Sequence, residues 1–291
     1  MTKGKKMESP YYMAKCCGTL GELYQGPFFN KDNIEISVIS ALSNNSTYAQ
    51  LIPDKECNLA KLKKEKVAKS LSIFFEKVAM KQLTGHWDFT SNMTIGVGMS
   101  SSTADIISAL RCVSKIFGIR LTLDDITTCL YGVERSDSVF IDVPCLYLSQ
   151  QQKIIDIYKP YGKIYCIYGL ENKMVDTTQT RDTLIAYYQD EKINYQKLLD
   201  CVRQTYSVGN KMQIIGCSTN SADLSQGVLP KQQYHYFKKQ IKNNLADGMI
   251  VAHTGSLLGY LYASPPDKYT LSFVFDFIKA HGLQPCYGEI F

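Results

Sequence analysis

One short segment constrains this chain more than any other: Gly96-Val97-Gly98-Met99-Ser100-Ser101-Ser102-Thr103-Ala104. It joins a strand-patterned stretch, Gly85–Thr94, to the clearest helix of the sequence, Ser101–Phe117. Ile106, Leu110, Val113 and Phe117 recur at helical spacing and make one apolar stripe. Gly118 stands where a left-handed C-cap belongs. Glycines at Gly96 and Gly98 let the backbone turn tightly and approach a ligand closely. The first N–H groups of a helix have no intrahelical acceptor and lie at the positive end of its dipole. Such a turn binds anions, phosphate above all. The same residues also read as an ordinary serine-capped helix after a flexible turn. No lysine lies in the loop, so it is neither a Walker loop nor a complete dinucleotide fingerprint.

The rest of the chain has an α+β order. Ile34–Ala41 alternates as a strand, with Ser46–Ile52 its expected antiparallel neighbour. Leu62–Met80 has helical spacing, and Lys61, Lys63, Lys64, Lys66 and Lys69 read as its solvated face. Leu123–Val133 is a second helix, introduced by Thr122, Asp124 and Asp125. Val139–Leu148, Lys153–Tyr158 and Lys163–Tyr168 read as strands. The turn Pro160-Tyr161-Gly162 marks a domain boundary, giving units of residues 1–158 and 159–291. Helices at Thr180–Tyr188, Tyr195–Tyr206, Met212–Gln226, Gln232–Asn244 and Leu271–His281 follow. Strands are expected at Gly248–His253, Leu258–Tyr262 and Pro285–Ile290.

With 45% apolar residues, the 291-residue chain buries a sizeable core. A net charge of +5 suits an anionic ligand without implying nucleic acid. Met1–Ser9 is polar, and no run approaches the ~20 apolar residues of a membrane span. The expectation is a cytoplasmic protein with no membrane partner. Nothing in the pattern fixes an oligomeric state. The ten cysteines show no metal spacing and read as free, partly buried thiols.

Three further segments carry chemistry. Glu134-Arg135-Ser136-Asp137 closes the second helix. If the two helices pack antiparallel, Glu134 returns to the start of the first. Of the two carboxylates, Glu134 and Asp137, one would suit Mg²⁺, a hard cation that prefers oxygen, and the other a hydroxyl nucleophile. The alternative is a surface pair bridged by Arg135. Gly18–Gly26 carries three glycines with Thr19, Glu22 and Gln25, and reads as a pocket lining or a hairpin turn. Val251–Gly259 couples an apolar strand to a Gly/Ser/Thr turn that can support a ligand. His253 within it reads as structural. Asp176–Asp182, with Thr177, Thr178 and Arg181, is a weaker candidate for substrate contact or a helix cap.

Together these segments resemble the GHMP kinase superfamily, whose central ATP motif the serine-rich loop matches. The likeness rests on Gly18-Thr19-x-Gly-Glu22-Leu-x-Gln25-Gly26 and Gly98-Met99-Ser-Ser101-Ser102-Thr103-Ala104-Asp105. Glu134-x-x-Asp137-Ser138, Leu229-Pro230-Lys231 and Ala252-His253-Thr254-Gly255 continue it in the family's order. Within the group the sequence is most similar to the L-threonine kinase branch, which serves cobalamin synthesis. Cys17, Thr94 and Ser100 depart from the usual pattern, and none removes a phosphate donor or a carboxylate.

The resemblance implies a ribosomal-S5-like first domain and a ferredoxin-like second. It implies transfer of the ATP γ-phosphoryl group to the hydroxyl of L-threonine. Gly96, Gly98, Met99, Ser100, Ser101, Ser102 and Thr103 would hold ATP. Ser102 and Glu134 would hold Mg²⁺, and Asp137 would sit at the acceptor hydroxyl. Thr19, Glu22, Gln25, Thr254 and Gly255 would contact a small hydroxylated amino acid. Serine or homoserine as acceptor, or a nucleotide-binding regulator without turnover, are the alternative readings.

Overall fold

The computed structural model describes residues 12–31, 33–53, 59, 62–171, 181–241, 243 and 245–291. The polar start Met1–Ser9, Lys61 and residues 176–180 of the weaker candidate segment lie outside them. The frame is an antiparallel pair of long strands, β1 (Tyr12–Asn30) and β2 (Asn33–Pro53). Ile34–Ala41 and Ser46–Ile52 therefore belong to one 21-residue strand rather than to two paired ones. Gly18–Gly26 is likewise no hairpin turn but the middle of β1. The pairing with β2 slips between Cys17 and Tyr24, where Gly21 takes a φ of +81°. Such slips bend a strand and re-aim its side chains, here Thr19 and Glu22.

Strand β3 (Gly85–Ser91) pairs on β2, and β4 (Cys145–Leu148) and β5 (Lys153–Ile157) extend the sheet. The strand expected from Val139 begins only after Pro144, which has no N–H to give a ladder. From the second half, β6 (Ile164–Leu170), β7 (Gly248–Val251), β8 (Leu258–Tyr262) and β9 (Gln284–Ile290) pair in the order β7-β8-β6-β9. They join the long hairpin at two single bridges, Glu22↔Val251 and Ser43↔Ile290. Among the described residues, all nine strands thus form one sheet. The expected domain boundary falls in the connection between β5 and β6. The main apolar core runs across it, with Leu20, Ile39 and Ile107 in contact with a body that includes Cys166, Ile214 and Leu261.

The helices follow the sequence closely. α1 (Glu65–Ile73) turns Val67, Ser70 and Leu71 inward and continues as a π-helical turn, Phe74–Ala79. α2 (Ser101–Phe117) and its left-handed Gly118 cap match the expected bounds. Ile106, Leu110 and Val113 are fully buried, and so are Ala104, Ile107, Ala109 and Cys112, so α2 is a central helix rather than a one-sided one. Thr122 and Asp125 form a reciprocal capping box at α3 (Leu123–Leu130). α4 (Arg181–Asp190), α5 (Lys192–Val208), α6 (Lys211–Ser225), α7 (Tyr234–Ile241) and α8 (Lys268–Ala280) complete the described elements. Among the described residues, no helix is long and apolar enough to cross a membrane. The described cysteines are all free thiols, most of them buried.

Candidate active site

The glycine–serine turn folds as its residues require. Gly96 and Gly98 take φ values of +80° and +93°. A Cβ at Gly98 would stand 2.1 Å from that of Ala252. Gly255 is equally committed, since a Cβ there would stand 2.2 Å from the Val97 carbonyl oxygen. The Leu257 N–H donates to that same carbonyl at 3.1 Å. The Val251–Gly259 turn thus supports the loop from beneath. Met99 is buried, and its carbonyl accepts the Thr19 N–H at 3.0 Å.

Ser100 is the N-cap of α2, yet its side chain does not cap. Its backbone is left-handed, with φ +56° and ψ +29°. That conformation costs a non-glycine residue roughly 1–2 kcal/mol. Its hydroxyl instead donates to Asp137 Oδ2. Thr19 Oγ1 lies 2.7 Å from Ser100 Oγ, so Thr19 is the donor of that pair. A hydrogen bond to a charged group contributes about 1.5–3 kcal/mol, enough to offset the strain. Ser100, one of the departures from the usual motif, is therefore the residue that ties the loop to Asp137.

Glu134 is the second anchor, with its side chain 5% exposed. Ser102 Oγ donates to its Oε2 at 2.7 Å and Thr103 Oγ1 to its Oε1 at 2.6 Å. Lys66 Nζ also donates to Oε2, at 2.9 Å. Glu134 returns to the first turn of α2, as its position after α3 suggested. The reason differs, because α3 packs on α1 and α1 packs on α2. Gln152 fixes the Glu134 backbone by donating to its carbonyl at 3.1 Å, and accepts from Ser136 and Tyr147 at 2.5 Å each.

Lys63, Lys66 and Lys69 are exposed, as a solvated face requires, but the run also makes contacts the sequence did not suggest. Lys64 bonds Asp105, Lys66 bonds Glu134, and Lys69 donates to the Gly132 carbonyl at 3.0 Å. The Lys66 side chain is 55% exposed, so solvent screens its pair to within about 1 kcal/mol.

A cleft of about 400 Å³ opens beside these groups. Glu22, Gln25, Glu134, Asp137 and Thr254 line it, with Lys66, Arg135 and Arg181 adding positive charge. Arg135 therefore faces the cleft rather than bridging a surface acidic pair. A second recess, of about 330 Å³, is lined by Lys63–Val67, Ile95, Ser101, Ser102 and Asp105 and shares Lys66 with the cleft. Thr19 and Gly255 do not line the cleft; they brace the loop.

Behind the cleft, Glu22 Oε2 accepts the His253 N–H at 2.9 Å and faces its Nδ1 at 3.0 Å. His253 Nε2 meets Ser221 Oγ at 3.3 Å. Buried on both ring nitrogens, His253 orients Glu22. Gln25 donates to the Tyr188 hydroxyl at 3.2 Å. Lys231 Nζ donates to the carbonyls of His253 and Gly255. Burial pulls the Lys231 ammonium down to about 8, against the upward pull of Glu22 and Glu171. Desolvation, then the Glu22 carboxylate, pushes Asp137 up to about 7, while its bond from Ser100 pulls it down.

Sequence reasoning missed Lys66 and Gln152 as parts of this site, and it singled out Lys231 only within the Leu229-Pro230-Lys231 motif, without a role. The only local signal for Lys66 was its place in a lysine-rich run. Gln152 had none, since its φ of +54° shows only in the fold.

The antiparallel sheet thus carries a glycine–serine turn on a buried helix, faced by two carboxylates, an arrangement that suits an anionic ligand. Residues 64–150 match the GHMP kinases N terminal domain. Through that segment the chain resembles the GHMP kinase superfamily, and it has the fold of those proteins. It is 23% identical to the L-threonine kinase of Salmonella typhimurium strain LT2 over 259 residues, 86% of this chain and 82% of that protein. Among solved structures it is similar to the Methanococcus jannaschii mevalonate kinase, with a TM-score of 0.71 at 12% identity over 98% of this chain and 99% of the other. The Cytophaga hutchinsonii homoserine kinase superposes with a TM-score of 0.70 at 12% identity, over 100% of this chain and 97% of the other. GHMP kinases use ATP to phosphorylate hydroxyl acceptors.

Proposed function

We propose that this chain transfers the γ-phosphoryl group of ATP to the side-chain hydroxyl of a small amino acid, L-threonine first, giving O-phospho-L-threonine and ADP. The observation that carries this reading is the bond from Ser100 to Asp137. It holds a carboxylate at the junction of the phosphate turn and the cleft. The acceptor oxygen would bond to the γ-phosphorus as the bond to the β–γ bridging oxygen breaks. The hydroxyl proton would pass to Asp137, and ADP would leave with the bridging oxygen. With a loose transition state, positioning and charge neutralisation carry most of the acceleration.

The N–H groups opening α2 at Ser101–Thr103 suit the phosphates. Ser102 and Glu134 present converging oxygens that fit Mg²⁺, which takes one or two protein ligands and completes its shell with phosphate and water. That ion would neutralise phosphate charge. Glu22 and Asp137 together with Arg135 and Arg181 give the cleft both signs of charge, which suits a zwitterionic acceptor. The similarity to an L-threonine kinase supports threonine as the first candidate. A cytoplasmic location accords with ATP as donor.

The test is Mg²⁺-dependent ADP release from ATP against L-threonine, L-serine, L-homoserine and non-amino hydroxylated metabolites. The expected result is the highest kcat/KM for L-threonine. Preference for another acceptor overturns the threonine assignment. Nucleotide binding without ADP release for any acceptor overturns the kinase reading and leaves a regulator on this fold.

A further inference from the structure

The phosphate turn has no lysine, yet a kinase has to neutralise a highly charged nucleotide. Lys66, from the first turn of α1, is placed to supply that charge. Its amine sits 2.9 Å from Glu134 Oε2, the oxygen that also accepts from Ser102. Lys66 lines both the cleft that holds Asp137 and the recess beside Ser101 and Ser102. Of the other lysines of the run, Lys64 is committed to Asp105 and Lys69 to the Gly132 carbonyl, and Lys63 lines only the recess.

We propose that Lys66 is a catalytic residue that rests on Glu134 in the ligand-free protein and moves to the γ-phosphoryl group when nucleotide binds. The proposal rests on the kinase reading of the site and deepens it. When a divalent cation occupies Glu134, it takes over the negative charge that holds Lys66. The half-exposed, screened ion pair offers little resistance to that exchange. The released amine then lies between the two cavities, where the transferred group has to pass. It donates hydrogen bonds to the non-bridging γ-oxygens and transfers no proton. Such a contact is charge-assisted, and it exists only when a third phosphate is present.

The test compares nucleotides that differ in that phosphate. Calorimetry with Mg²⁺ measures binding of ADP and of the non-hydrolysable ATP analogue AMP-PNP to the wild type, Lys66→Met and Lys66→Arg. For Lys66→Met the expected result is a loss of about tenfold or more in AMP-PNP affinity. ADP affinity should stay within about twofold, and Lys66→Arg should recover most of the loss. The Lys66 side chain is more than half exposed, so the melting temperature should hardly move. Equal losses for both nucleotides, or no loss for either, overturn the proposal. The contrast is read from binding alone. A wild type that binds AMP-PNP but phosphorylates no acceptor would sink the kinase reading and still leave the Lys66 contrast measurable.

Discussion

Ser100 donates a hydrogen bond to Asp137 from a left-handed backbone, so the residue that opens the phosphate helix also tunes the carboxylate facing it. Ser100→Ala keeps the strained φ but removes the donor. Asp137 should then titrate above about 7, because the one hydrogen bond that lowers it is gone. The acidic limb of kcat/KM should move to higher pH. Ser100→Gly should show the same shift and be about 1 kcal/mol more stable than Ser100→Ala, since glycine accepts this φ. A pH–rate profile and a melting curve for the two variants check both parts. An unmoved acidic limb would separate Asp137 from the rate.

Asp137→Asn should lower turnover by about a hundredfold, the lower range for a lost proton acceptor. It should also change how stability depends on pH. The folded protein holds the Asp137 proton up to about pH 7, whereas the unfolded chain loses it near the ordinary value of 3.8. Between those limits the folded state binds more protons, so wild-type stability falls as pH rises through that window. The asparagine does not titrate. Its stability relative to the wild type should therefore rise from pH 4 to pH 7, as chemical denaturation at several pH values will show.

Ser102→Ala and Glu134→Gln should both impair use of Mg·ATP, with the KM for ATP rising more than that for the acceptor. Glu134→Gln should be the more severe. Ser102, Thr103 and Lys66 all donate to that carboxylate, and a neutral amide holds none of them as strongly. Steady-state kinetics with Mg²⁺ varied independently of ATP is the check.

The parts of this site that were legible beforehand are those whose physics is local. Gly96, Gly98 and Gly118 sit at positive φ because only the backbone demands it, and the α2 stripe has one period from end to end. Glu134 and Asp137 were legible through their place after a short helix. Gly18–Gly26 was not legible as a strand. Its glycines signal a turn, and only pairing with β2 and the bridge at Val251 keeps it extended. The lysine run was legible as an exposed face but not as a source of ion pairs. A row of lysines reads as solvent-facing, and nothing local announces a partner 68 residues away, Glu134. Thr19 and Gly255 were assigned to the acceptor pocket by motif, and tertiary packing turned both toward the loop.

Glu22→Gln should raise the acceptor KM at least tenfold and leave that of ATP within about twofold. The carboxylate lines the cleft and lies away from the recess beside Ser101 and Ser102. Glutamine is the useful variant because it keeps an acceptor for the His253 N–H, which Glu22→Ala would leave buried and unpaired at a cost of about 1–3 kcal/mol. Equal rises in both constants would show that Glu22 acts through the loop rather than on the acceptor.

Lys231→Met tests the brace beneath both halves of the site. The ammonium donates to the carbonyls on either side of Thr254, which lines the cleft, and Gly255 lies under the loop. Losing those donors leaves two enclosed carbonyls unpaired, so the variant should be less stable by about 2–4 kcal/mol at pH 7. The loss should grow in alkali. Folding lowers the Lys231 ammonium from 10.5 to about 8, so between those values the unfolded chain holds a proton that the folded protein has released. That difference favours the folded wild type as pH rises from 8 to 10.5. Methionine has no such proton, so this wild-type gain should be missing from the variant, while its carbonyl penalty persists. Its stability should therefore rise less than that of the wild type across that range, once the other titrations common to both are subtracted. Parallel curves would mean that Lys231 carries an ordinary, solvated charge and that the turn holds the loop without it.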